Sequence, residues 1–465
     1  MNRSNYPVSL FIFHRDLRIH DNTALIAACK QSDKVIAAFI FTPEQVGDSN
    51  TYKGDHCLEF MLTTLHELAQ DIAAHGGRLY FFKGHMEEVI KQLIKEADVR
   101  ALFFNYDYTP YARARDKDIE RLCKAHDVAV HGYHDALLNA PGIVMRADGK
   151  PYQVFTPFWK AARVIPVAKD STYRSENLFH GHLKHALSAA AVQALAPVKS
   201  PELAVHGGRK EGLKLMRRLA HFSTYEATRD TPSLDTTMLS AHNKFGTISI
   251  RELYWHMQNA LGARAGTGLL RQLYWRDFYY HVAYFWPHVF GHAFHRKYDA
   301  LAWNKSKKDF ALWCTGMTGF PIVDAGMRQL NATGFMHNRV RMIVASFLTK
   351  DLLIDWRWGE RYFAQQLVDY DPCVNNGNWQ WSASTGCDPQ PYFRIFNPWL
   401  QQKKFDADCT YIKQWVPEVR HVAPKVLHSW YADRHEPIEG YPRPMVDHEE
   451  ARAVALAAYK KVAKE

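Results

Sequence analysis

Residues 334–399 gather side chains that a plain apolar core does not combine. Asn338, Arg339 and Arg341 interrupt a run that otherwise reads as helical and apolar through Ser346 and Leu348. At helical spacing, Asn338, Arg341, Met342 and Ala345 share one face. Asp369 and Asp371 follow, then the adjacent amides Asn375 and Asn376, with Trp356, Trp358, Trp379 and Trp381 interleaved. A buried guanidinium or carboxylate is costly unless paired or hydrogen-bonded. Charge, amide and indole together therefore predict a polar pocket for a ligand. A structural ion pair, Arg341 with Asp371, is the plainer reading. It accounts for the charges but leaves the amides and indoles unexplained.

Three further constellations have chemical meaning. Tyr225 opens a stretch through Arg229 and Asp230 that leads into Thr236, Thr237, Met238, Leu239 and Ser240. Hydroxyls beside backbone N–H groups near a helix start hold phosphate well, and a hydroxyl-rich cap has the same composition. Gln272, Trp275 and Arg276 share one helical face. An amide beside an indole grips a planar heterocycle by stacking and edge hydrogen bonds, whereas the bland reading is an interfacial Trp with a solvated Gln. Arg394, Lys403, Lys404, Lys413 and Arg420 stand near Phe393, Phe396 and Trp399, as a rim touching phosphates would, or simply as a solvated face. The 25 His are dispersed and no metal-ligand pattern is present. No GxSxG or Walker sequence supports acyl transfer or nucleotide hydrolysis.

These groups need a scaffold, and 465 residues are long for one core, so two domains are expected. Aromatic content of 13%, with 13 Trp, tilts the reading toward stacking on an aromatic cofactor. The net charge of +10 suits a polyanionic partner, although such an excess also serves solubility. Seven widely spaced Cys, without a CxxC pair, argue against a disulfide framework and for a reducing compartment. The opening MNRSNYPVSLFIFHRDL lacks a signal-peptide core and no run approaches a membrane span, so a cytoplasmic monomer without membrane contact is expected.

Over residues 1–132, short apolar runs at 8–13, 35–41, 79–82, 101–105 and 128–132 alternate with amphipathic stretches at 22–31, 57–75, 86–96 and 112–126. That alternation predicts an α/β domain with a parallel, doubly wound sheet. The turn His14-Arg15-Asp16-Leu17-Arg18 lacks GxGxxG, so no nicotinamide site is inferred; it reads as an interdomain ion-pair cluster. Residues 133–205 read as a long connector broken by Pro and Gly, and Phe155, Pro157, Phe158 and Trp159 predict that it packs on a surface. From 206 to 465 helical periods dominate, with helices expected at 212–221, 249–261, 268–285 and 450–464.

Over nearly its whole length the chain resembles the photolyase/cryptochrome flavoproteins. The opening FHRDLRIHDNTAL is similar to that family's first strand and turn. LYWRDFYYH, TGFPIVDAGMRQLNATGFMHNRVRMIVASFLTKDLLIDW and VNNGNWQWSASTGCDPQPYFRIFNP resemble the class I cyclobutane pyrimidine dimer photolyases in particular. The resemblance implies an antenna-binding α/β domain and an all-helical domain that buries a U-shaped FAD. It implies light-driven repair of UV-damaged DNA, in which excited reduced FAD lends an electron to a pyrimidine dimer, the ring splits and the electron returns.

Matched position by position, the resemblance places the FAD phosphates at Tyr225, Thr236, Thr237, Leu239 and Ser240, with Met238, Arg276 and Asn338 in the same site. It pairs Arg341 with Asp369 or Asp371 near the isoalloxazine, and faces Asn375 to the flavin N5. Trp379, Trp356 and Trp303 match a chain that carries an electron to oxidised flavin. Gln272, Trp275, Asn338, Arg339, Met342 and Trp381 match the pocket for a flipped-out lesion. Two departures stand out. Gln272 replaces the Glu usual in dimer photolyases and resembles the (6-4) enzymes, yet Asn338 and Met342 stand where those enzymes carry histidines. Ala112 lacks the acid that folate-binding relatives use, so a folate, a deazaflavin, a second flavin or no antenna remain open. A cryptochrome-type photoreceptor, a (6-4) photolyase and a DNA-binding protein without chemistry are the alternatives.

Overall fold

The computed structural model describes residues 5–171, 176–197, 202–265, 267–432 and 435–464. Parts of the expected connector, 172–175 and 198–201, lie outside the described residues. The five apolar runs form five strands, β1 Tyr6–Ile12, β2 Ser32–Phe41, β3 Leu79–Lys83, β4 Ala101–Asn105 and β5 Ala129–Tyr133. All pair in parallel, in the order β3-β2-β1-β4-β5. Helices Thr23–Gln31, Asp55–Ala74, Met86–Ala97 and Pro110–Lys124 connect them. A parallel sheet is buried on both faces, which is why its strands read as continuous apolar runs rather than alternating ones. Phe11, Ala37 and Phe103 pack into one core, and Leu10, Ile36 and Leu102 into the other. Helix starts follow local capping: Asn22 Oδ1 accepts from Leu25 N at 3.1 Å, and Thr109 precedes Pro110.

The strand order reverses between β1 and β4, and the charged turn emerges there. It is an interdomain ion-pair cluster. Arg18 pairs with Asp135 at 2.6 Å, and Arg251 from the helical part reaches Asp135 and Asp21, each at 2.8 Å. Arg15 reaches farther, to Asp371.

After β5 the chain crosses to the helical part, where helix Phe155–Ala162 packs against helix Thr267–Phe285. It then returns to the sheet. Phe179 N donates to Val35 O on β2 at 2.8 Å and Leu187 N to Phe81 O on β3 at 2.7 Å, so this segment pairs with β2 ahead of the stretch that β3 covers and then reaches the outer side of β3.

The remainder is helical. The expected helix at 249–261 is Ile250–Ala265, with Gly262 leaving the helical region at φ 70°. Helix Asn338–Ser346 does not run on as an α-helix to Leu348; it passes into a π-helical turn, Phe347–Asp351. Such a turn re-aims the chain within one stretch of backbone. Here it precedes helix Trp356–Gln366, which packs on helix Pro372–Ser382. Trp313, Trp356, Trp379 and Trp430 are among the largest fully buried side chains.

Candidate active site

Four segments enclose a cavity of about 510 Å³. The loop 229–239 supplies Thr236, Thr237, Met238 and Leu239, and Ser240 starts the short helix Ser240–Phe245. Met238 takes a left-handed φ of 55°, which turns this loop sharply before the helix. Helix Thr267–Phe285 contributes Gln272, Trp275 and Arg276 from one face, as its spacing requires. Helix Asn338–Ser346 contributes Asn338, Arg339, Arg341, Met342 and Ala345, and helix Pro372–Ser382 contributes Asn375, Trp379 and Trp381. Tyr225, Asp369 and Asp371 complete the expected set. Trp303 and Trp356 lie off the cavity, in the apolar cluster behind it.

Charges in this cavity are paired specifically. Arg341 grips Asp369 through two N–H groups, at 3.2 and 3.0 Å, and its Nε donates to Met336 O at 2.7 Å. Asp371 is not its partner. Asp371 Oδ2 accepts from Arg15 Nη2 at 2.5 Å and from Tyr280 Oη at 2.6 Å, while Oδ1 caps helix Pro372–Ser382 through Cys373 N and Val374 N. Burial works to raise the Asp371 carboxyl, but the Arg15 and Arg276 guanidiniums and these hydrogen bonds outweigh it and hold the group below the ordinary carboxylate value. Arg276 Nη1 donates to Ala136 O at 2.5 Å, so it too ties the cavity to the segment after β5.

The neutral groups are equally constrained. Asn375 Nδ2 donates to Glu360 O at 3.0 Å, which fixes the amide where it faces the cavity. Glu360 Oε1 accepts from Asn376 Nδ2 at 2.8 Å, and burial pushes the Glu360 carboxyl up to about 7. His337 caps helix Asn338–Ser346, its Nδ1 accepting from Arg339 N at 3.1 Å; burial, then Arg341, pushes the ring down to about 4, leaving it neutral and able to accept. Gln272 Nε2 donates back to Gly268 O at 3.2 Å. Trp275 carries Phe155 stacked on one face, with centroids 3.5 Å apart and planes 8° from parallel.

Several lining residues had no signal in the sequence pattern. Lys244, Tyr279 and Asn378 are distributed polar side chains that periodicity does not single out. Trp313, ring to ring with Trp379 at 6.1 Å, is an indole that the sequence pattern does not single out. Among the described residues no ring contact joins Trp379, Trp356 and Trp303 directly; Trp379 meets Phe363 at 4.9 Å and Trp303 meets Tyr459 at 6.3 Å. Ala112 is buried under the Thr109 cap, so its position offers no group to a ligand.

A hydroxyl-lined loop, an Arg–carboxylate pair, amides and three indoles around one cavity suit a large, phosphate-bearing, planar cofactor. Residues 269–461 match the family model described as the FAD binding domain of DNA photolyase, and residues 9–171 match the model described as DNA photolyase. The deoxyribodipyrimidine photo-lyase of Escherichia coli (strain K12) is 39% identical over 477 residues, spanning 96% of this chain and 97% of its own. The chain belongs to the DNA photolyase family. It is an FAD enzyme of the deoxyribodipyrimidine photo-lyase class. The same-named protein of a Synechococcus strain is 37% identical over 94% of this chain and 93% of its own. The archaeal photolyase of Sulfolobus tokodaii, solved with two FAD molecules, superposes with a TM-score of 0.88 at 40% identity, over 98% of this chain and all of that one. The cryptochrome of Synechocystis sp. PCC6803 superposes with a TM-score of 0.89 at 26% identity, over 98% and 100%.

This photolyase's own atoms fit the cofactor. Asn243 Oδ1 is buried beside the cavity and takes no hydrogen bond from the protein, as an acceptor reserved for a bound N–H or hydroxyl would be. Among the described residues no helix is long and apolar enough to cross a membrane.

Proposed function

We propose that this cavity holds FAD and a cyclobutane pyrimidine dimer side by side, and that the protein repairs the dimer in light. One observation carries the reading. The residues expected at the cofactor, Thr236–Ser240, Arg341 and Asn375, and those expected at the lesion, Gln272, Trp275, Asn338, Met342 and Trp381, open on one continuous cavity. Donor and acceptor would then lie in contact, with no protein wall between them.

When bound and excited in its reduced form, FAD supplies a single electron to the dimer. The chain's residues do the rest. Tyr225, Thr236, Thr237, Leu239 and Ser240, with Met238 between them, bind the phosphates through hydroxyl and backbone N–H groups. Arg276 and the Arg341–Asp369 pair orient the ring system. The Asn375 amide is held through its nitrogen by Glu360 O, and its oxygen would serve the flavin. Gln272 is held the same way, its nitrogen on Gly268 O, so its carbonyl is free to accept the imide N–H of a pyrimidine. Trp275 and Trp381 would offer ring surface to the flipped bases, with Phe155 stacked on Trp275 at 3.5 Å and the Tyr279 ring beside it at 5.7 Å. The lining begins at Tyr225, in keeping with a division into 1–132, 133–205 and 206–465.

Purified protein illuminated with separate cyclobutane-dimer and (6-4) substrates, with its chromophores extracted, tests this. Repair of the dimer alone is expected. Repair of the (6-4) product, whose acid chemistry Asn338 and Met342 cannot supply, overturns the lesion assignment. FAD and DNA binding without repair of either substrate supports the photoreceptor reading, which the likeness to a cryptochrome keeps in view.

A further inference from the structure

Arg339 and Asp230 meet on the lining of the cavity, Arg339 from the first turn of helix Asn338–Ser346 and Asp230 from the loop 229–239. Arg339 Nε, at 3.2 Å, and Nη2, at 2.7 Å, both donate to the single oxygen Oδ1 of Asp230. The guanidinium carbon lies 4.4 Å from the centroid of the Phe405 ring, so its face is held while its donor edge points at the carboxylate. The Arg339 side chain is 15% exposed and that of Asp230 37%, which leaves the acid as the member nearer to solvent. An anionic oxygen taking two N–H groups from one guanidinium edge sits where a phosphate oxygen sits in backbone recognition.

We propose that Asp230 is a built-in stand-in for a DNA phosphate and a specificity-determining residue: it holds Arg339 in phosphate-binding geometry until the backbone beside a flipped lesion displaces it. This rests on the DNA-repair reading above. Phe405 keeps the guanidinium in place through the exchange, so only the Asp230 side chain has to move. Undamaged DNA must break the pair without the compensating contacts that a flipped dimer makes inside the cavity. The pair therefore works against the wrong ligand more than against the right one.

The exchange has a signature in salt dependence. A phosphate neutralised by a free Arg releases its counterions, and affinity for duplex DNA then falls with a slope of about 0.9 per phosphate in log–log form. When Arg339 leaves Asp230, the freed carboxylate regains a cation, so Arg339 adds almost nothing to the slope. Asp230→Asn removes that compensation.

The test measures affinity of the FAD-loaded protein for undamaged and dimer-containing duplexes from about 50 to about 200 mM salt. Wild type, Asp230→Asn, Arg339→Ala and the double variant are compared, with Asp230→Ser as a second replacement and the flavin spectrum as the folding check. Expected for Asp230→Asn are undamaged DNA bound about two- to fivefold tighter, the scale of one partly exposed ion pair, a smaller lesion preference, and a slope steeper by about 0.9. Neither change should occur in the Arg339→Ala background. Weaker binding by Asp230→Asn would show that Asp230 only orients Arg339. An unchanged slope, or an equal gain without Arg339, would reduce the effect to plain charge removal; each of these outcomes overturns the proposal. A wild type that binds no DNA at any salt overturns the repair reading itself, a failure distinguishable from those.

Discussion

Arg15, in the turn after the first strand, places Nη2 2.5 Å from Oδ2 of Asp371, the residue that caps the helix carrying Asn375, Trp379 and Trp381. The α/β domain therefore fixes the start of a helix that walls the cavity, although all the lining residues come from Tyr225 onward. Removing Arg15 leaves Asp371 a buried charge with Tyr280 and two backbone N–H groups for support. Arg15→Ala should cost about 3–5 kcal/mol, the range for breaking a buried pair, and should weaken flavin retention. Denaturant unfolding and flavin release measure the two effects, and an unchanged midpoint would show the pair to be idle. Because the Asp371 carboxyl is held below its ordinary value, its contribution is present above pH of about 3.9 and is lost as pH falls through the folded value. The Arg15→Ala protein should lack that acid-side loss.

Glu360 should behave oppositely. Its carboxyl is pushed up to about 7 by burial, so the folded state disfavours its ionisation. Stability should fall as pH rises from about 4.3, the unfolded value, and level off above the folded one, a loss on the order of 3 kcal/mol. Glu360→Gln keeps an oxygen for Asn376 and cannot ionise, so unfolding free energies measured from pH 5 to pH 8 should lose this slope. A slope identical to wild type would place the titration elsewhere.

Gly359 packs against the flat edge of Trp379: a Cβ there would stand 2.1 Å from Trp379 Cη2 and 2.6 Å from Leu348 Cδ2. Gly359→Ala should destabilise by about 1–3 kcal/mol through overpacking. It should also slow light-driven reduction of oxidised flavin by displacing the indole that lines the cavity. Thermal unfolding and flavin absorbance under illumination check the two parts separately.

Trp303→Phe should slow that photoreduction as well, while enzyme reduced beforehand keeps its repair activity. Trp303 stands against Tyr459, off the cavity, so it has no contact with the substrate to lose. Equal loss of repair in prereduced enzyme would place Trp303 in dimer splitting itself.

Gln272→Glu should retain or raise dimer repair and introduce a pH dependence that the wild type lacks. The change removes the donor now spent on Gly268 O and adds a titrating group at the lesion. A neutral hydrogen bond is worth about 1 kcal/mol, so the change in repair yield should be modest. A quantum-yield profile across pH decides, and a flat profile would mean that the carboxylate does not reach the dimer.

Much of this was legible before any coordinates. Strands at 8–13 and 101–105, the helix at 268–285 and the shared face of Gln272, Trp275 and Arg276 follow from period and composition, which are local properties. The hydroxyls at 236–240 and the face of Asn338, Arg341 and Met342 were visible for the same reason. Partner choice was not. Arg341 could be paired with either Asp369 or Asp371 on charge alone, and only the path of the chain gives Asp371 to Arg15, 356 positions away. The π-helical turn at Phe347–Asp351 has no breaker residue to announce it. The stacking of Phe155 on Trp275 joins residues from separate segments, and the pattern of neither one implies it.

That last contact separates two kinds of variation. Trp275 sits among the residues that line the cavity and are proposed to hold cofactor and lesion, where substitutions are constrained by several contacts at once. Phe155 opens helix Phe155–Ala162 and stacks on the indole without itself lining the cavity. Exchange of its phenyl for an aliphatic group would alter the polarisability of the surface on which a base rests while leaving every polar group of the pocket untouched. Position 155 would thus give a lineage a dial for tuning lesion recognition that can change while the polar machinery it adjusts stays the same.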